Sequence, residues 1–137
     1  MSRIPRAQEH LKTGFTAEAV AAARYRAFAA RAEREGLPNL AAHWRPLAEE
    51  KDRLAIRQLE AAGQVRGAGA DVAAAIADER YENDVLYPKM RREVEGEVAE
   101  VFGAVVAAQR EHLDRLLARR DLDTAARGDV ELPAEVA

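Results

Sequence analysis

The chain has 137 residues, 48% apolar and 33% charged, with 21 basic against 24 acidic side chains and no cysteine. That length fits one domain with a single sizeable core. The missing cysteines exclude disulfides, CxxC redox chemistry, thiolate zinc sites and a Cys nucleophile, and the even net charge of −3 argues against nucleic acid or a polybasic membrane anchor. No apolar run approaches the ~20 residues of a transmembrane helix, and residues 1–16 lack a signal-peptide core. A soluble, cytoplasmic helical protein is the expectation.

Four long amphipathic segments are predicted. The first runs from an N-cap at Thr16 to Glu35, where Gly36 supplies the stop. Phe15, Val20, Ala23, Ala27 and Ala30 recur at three or four residues, which predicts a buried face. Asn39 caps the second segment, which continues to Ala62 and carries Pro46, expected to kink it or delay its start. A Gly-rich link, residues 63–70, comes next; it lacks the lysine and hydroxyl of a phosphate loop. Asp71 caps a third segment reaching Glu95 and interrupted by Pro88, and Gly96 turns the chain into a fourth, ending near Arg120. Residues 1–13 are expected to form an arm, 14–120 the helical domain and 121–137 a loose tail.

The two halves resemble each other. Glu18 precedes Tyr25 by seven residues, and Glu79 precedes Tyr87 by eight. Glu18 lies in an Ala-rich stretch and either points inward or complements the helix dipole. Glu79 and Glu82 share one helical face, which in isolation reads equally as a solvated one. His112 comes after the apolar run 101–108, where a lone histidine is more often a hydrogen-bonded boundary residue than a ligand.

Taken together, these residues resemble the rubrerythrin branch of the ferritin-like family. AEAVAAARYRAFAARAEREGLPNLAAHWRPLAEEKD is similar to its first helical hairpin, and DERYENDVLYPKM with EVAEVFGAVVAAQREHL to its second. The resemblance implies an all-α, ferritin-like antiparallel four-helix bundle with a crossover between two hairpins. It also implies a dinuclear iron site built from carboxylates and two Glu-x-x-His motifs. Glu18, Glu79, Glu82 and His112 fall where the family has ligands, and Tyr25 and Tyr87 where it has tyrosines beside the metals. The chain departs from the pattern on the second helix, where Lys51 and Leu54 replace Glu and His, and on the fourth, where Gln109 replaces Glu. Glu50, adjacent to Lys51, could substitute only through a π-bulge.

The remodelled site admits two readings. In the first, at most one iron or manganese ion is held by Glu79, Glu82 and His112, with Glu18 nearby and Gln109 as a weak or outer ligand, in support of oxygen- or peroxide-dependent oxidoreductase chemistry. Tyr25 would orient a carboxylate, and Tyr87 would be redox-active or a hydrogen-bond donor. In the second, the ammonium of Lys51 replaces the ion, and the metal-free bundle acts as a binding or assembly partner. Lys51 is also a candidate reactive amine, although surrounding carboxylates push its pKa up rather than down. Trp44, flanked by His43 and Arg45, is a candidate subunit contact, and a homodimer is expected.

Overall fold

The computed structural model describes residues 6–119 and residue 129. Apart from residue 129, the expected tail lies outside these residues, as do residues 1–5 of the expected arm. Every described element is helical, and no strand occurs among the described residues. The chain divides into two compact units, Met1–Val65 and Arg66–Ala137.

The first unit is a hairpin of α1 (Ala7–Arg34) and α2 (Pro38–Ala61). Helix α1 starts well before Thr16, so residues 7–13, expected in an arm, are helical. Gln8, Glu9, Leu11 and Lys12 all favour helix, and nothing between Ala7 and Thr16 stops one. Gly14 is carried in the helix interior with the end of the Gln58 side chain against it: a Cβ there would stand 1.7 Å from Gln58 Oε1. Helix α2 opens on Pro38 at its first position, where the missing N–H costs nothing, and not on an Asn39 cap. It is helical throughout, including at Pro46.

Both helices of this hairpin end in the same way. The Leu37 N–H bonds the Ala32 carbonyl at 2.8 Å and the Gly36 N–H bonds that of Glu33 at 3.0 Å. At the end of α2, the Gln64 and Gly63 N–H groups bond the Leu59 and Glu60 carbonyls at 3.2 and 2.9 Å. These are Schellman turns, which need a left-handed residue; Gly36 and Gly63 supply it with φ of 75° and 73°.

The contact between α1 and α2 is made by alanines. Ala22 and Ala29 on α1, and Ala41, Ala48 and Ala55 on α2, are buried and recur every seven residues. A seven-residue step returns a side chain to the same side after two turns, so each helix presents one methyl stripe to the other. Side chains this small favour the short end of the usual ~8–10 Å interaxial range. The buried face is therefore not the one predicted. Val20 is 52% exposed, Ala23, Ala27 and Ala30 are exposed, and Phe15 is only half-buried. In a sequence this rich in alanine a period of three or four fits more than one phase. Trp44, the candidate subunit contact, packs inside the hairpin against Ala29, Ala32 and Ala41. Its ring centroid lies 5.1 Å from those of both Tyr25 and Phe28.

The second unit contains α3 (Ala68–Tyr81), a π-helical turn (Glu82–Leu86), α4 (Tyr87–Arg92) and α5 (Gly96–Leu117). Asp71 is not the N-cap; it lies inside the first turn. From there its carboxylate accepts the backbone N–H groups of Arg66 and Gly67 at 2.9 and 3.2 Å. Pro88 comes one residue after the π turn, at the second position of α4. Its missing N–H and its ring disfavour a regular α turn, and the wider turn relieves both. The Tyr87 N–H accordingly bonds the Glu82 carbonyl, five residues back. Ile76 of α3 and Val106 of α5 are buried, and the rings of Tyr87 and Phe102 meet edge to face at 5.7 Å. No helix among the described residues is long and apolar enough to cross a membrane.

Candidate functional site

In the first unit the structure brings Glu18 and Lys51 together. Helix α1 carries Glu18 one turn before the buried Ala22, and α2 carries Lys51 between Ala48 and Ala55, so the alanine register sets the two side chains opposite each other. Lys51 Nζ lies 2.8 Å from Glu18 Oε2. Oε2 is sealed from solvent and receives no hydrogen bond of good geometry, so charge rather than direction holds this ion pair. The Lys51 ammonium is held above its ordinary value of 10.5, chiefly by the side-chain contact with Glu18, with the fields of Glu18, Tyr25 and Glu50 adding to it and partial burial opposing it. The raised value favours the charged form of Lys51. Tyr25 sits in the aromatic cluster with Trp44 and Phe28. Glu50 is exposed on a helix that is α throughout, so no π-bulge turns it inward.

In the second unit the corresponding pair is Glu82 and Gln109. Gln109 Nε2 on α5 donates to Glu82 Oε1 at 2.6 Å, a part-buried bond. Glu79 and Glu82 are both half-buried on one face, while Asp78, Arg80 and Asp84 around them are exposed. His112 is exposed, one turn beyond Gln109. Among the described residues no group of three or more acidic or histidine side chains could hold a metal ion.

One residue that sequence reasoning passed over belongs here. Asn83, in the π turn, is only 4% exposed and is the one buried polar residue among those described. Neither its Oδ1 nor its Nδ2 has a hydrogen-bond partner, and Glu79 Oε2 and Gln109 Oε1 are orphaned in the same way. In sequence it stands between two acidic residues, Glu82 and Asp84, and nothing in that setting marks it as buried. The signal that could have found it is the extra residue between Glu79 and Tyr87. An insertion inside a helix is absorbed by a π turn, which rotates the residues after it about the helix axis.

The residues present do not fit the dinuclear iron centre that the family resemblance implies. Two of its carboxylate positions hold an ammonium and a neutral amide, and each of these is engaged with a carboxylate that the family uses as a ligand. One histidine position holds Leu54, an exposed apolar residue. No protein-family model matches the chain, and no curated protein matches it either.

Proposed function

We propose that this chain is a rubrerythrin-like, ferritin-like four-helix bundle, its two hairpins joined by a crossover, in which side-chain pairs stand where the family holds iron. In this reading it is a non-catalytic assembly protein, forming a homodimer or docking a partner. The observation that carries it is the Lys51–Glu18 ion pair at 2.8 Å, supported by the Gln109–Glu82 bond. A lysine at that position supplies the positive charge that carboxylates otherwise need from a cation. Assembly is supported by Leu40, Leu47 and Leu54, which repeat every seven residues along α2 and remain 44%, 37% and 41% exposed. On α5, Val98 and Val101 are about half exposed.

A second reading rests on the orphaned oxygens of Glu79, Asn83 and Gln109. A single iron or manganese ion held by Glu79 and Glu82, with His112 swung inward and Gln109 alongside, would satisfy part of that set. Elemental analysis after anaerobic incubation with Fe(II) or Mn(II) and desalting separates the two. The assembly reading expects no retained ion. One ion per chain, lost in His112→Ala, would overturn it in favour of the second.

A further inference from the structure

We propose that the groove between α4 and α5 binds a phosphate group of a small molecule, through Arg91, Arg92 and Arg110. The groove has a volume of about 390 Å³ and is lined by Pro88, Arg91, Arg92, Val106 and Arg110. Val106 is nearly buried and forms its apolar floor. Residues 103, 106 and 110 fall on one side of α5, because steps of three and four keep to one helical face. Arg91 reaches across from α4 onto that side: its guanidinium carbon lies 3.5 Å from where a Cβ on Gly103 would stand. The absence of a side chain at Gly103 leaves the planar fork lying close along α5, at the edge of the groove.

Among the described residues these three arginines are unpaired, as Arg53, Arg57 and Arg80 also are, and what sets them apart is that they line one groove. Arg26, Arg31 and Arg45 in the first unit each bond a carboxylate. Arg91, Arg92 and Arg110 join no ion pair and no side-chain hydrogen bond among the described residues. Asp114, one turn from Arg110, and Glu95, three residues beyond Arg92, are described and pair with neither. Three like charges around one volume repel each other, so an anion there removes a cost as well as making contacts. Guanidinium forks match the oxygen spacing of phosphate and bind it through two parallel N–H bonds. A chain with net charge −3 offers a local site for such an anion rather than an extended track for nucleic acid.

Calorimetric titration of the full chain with inorganic pyrophosphate at low ionic strength tests this. The expected result is one site per chain, weakened roughly tenfold or more in Arg91→Gln/Arg110→Gln. The control pair Arg53→Gln/Arg57→Gln removes the same charge from α2 and should leave the affinity within about twofold. In the wild-type chain, amide resonances of Gly103, Val106 and Arg110 should move on titration, a readout that needs no variant. No binding up to about 1 mM, equal weakening by the control pair, or shifts confined to the first unit would each overturn the proposal. None of these outcomes bears on metal binding or assembly.

Discussion

Lys51 and Glu18 face each other across the α1–α2 contact at 2.8 Å, with the carboxylate Oε2 sealed from water and the lysine side chain still about a third exposed. The two partners are therefore unequal. Lysine can lose its partner and turn to solvent along its flexible stem, whereas Glu18 cannot. Lys51→Met should lower the melting temperature, and Glu18→Gln should lower it less. The double variant should be more stable than Lys51→Met alone, because removing both charges leaves no orphan. A double-mutant cycle by thermal unfolding measures this, and strict additivity would show that the pair contributes nothing.

The same pair sets a pH dependence at the alkaline end. Glu18 raises the folded-state pKa of Lys51 above 10.5. A raised lysine contributes stability in full below its unfolded value, and that contribution is lost as pH rises through the folded one. The gap in denaturation midpoint between wild type and Lys51→Met should be constant from neutral pH to about 10 and close above it. A gap that persists at the alkaline end would mean that Lys51 acts through its methylene stem rather than its charge.

The alanine stripe predicts opposite outcomes for two substitutions that both add bulk. Ala48 is buried at the helix contact, only 1% exposed. Ala48→Leu should cost about 1–3 kcal/mol or force the hairpin apart. Gly14→Ala meets only the end of the Gln58 side chain, which can swing away. Relief of glycine's helix penalty, about 0.5–1 kcal/mol, should then leave it neutral or slightly stabilising. Urea unfolding of both variants checks the contrast.

Glycine punctuation made the helix ends legible: Gly36, Gly63 and Gly96 all have positive φ where a stop or turn was expected. The start of α1 was not legible, because Thr16 looks like a cap although nothing there breaks a helix. Neither was the phase of the alanine face, since a methyl every three or four residues suits several registers. For the site, Glu18, Lys51, Glu82 and Gln109 were singled out in sequence, and they form two pairs, one within each unit. Asn83 was hidden because its burial depends on the π turn, a backbone feature that shows in sequence only as one surplus residue.

Asn83 offers its own test. Both atoms of its amide are buried without partners, and each such group costs about 1–3 kcal/mol. Asn83→Leu keeps a similar volume and removes the orphaned groups. It should raise stability by about 1 kcal/mol or more, measured by chemical denaturation. A loss of stability instead would mean that a bound water, ion or ligand satisfies the amide in solution.

Restoring the family's donors tests the resemblance itself. Lys51→Glu removes the ammonium opposite Glu18, Leu54→His adds an imidazole one turn further along α2, and Gln109→Glu replaces the amide that now bonds Glu82. Without metal, two carboxylates would face each other within each unit in place of an ion pair and a hydrogen bond, so the triple variant should be clearly less stable than wild type. With Fe(II) under anaerobic conditions, iron should be retained and the lost stability recovered, since an ion that binds only the folded state stabilises it by mass action. Melting temperature with and without iron, alongside elemental analysis, reads both effects. A triple variant that is destabilised yet gains nothing from iron would mean that Glu18, Lys51, Leu54 and Gln109 do not converge on one site, and the resemblance would then extend to the helices alone.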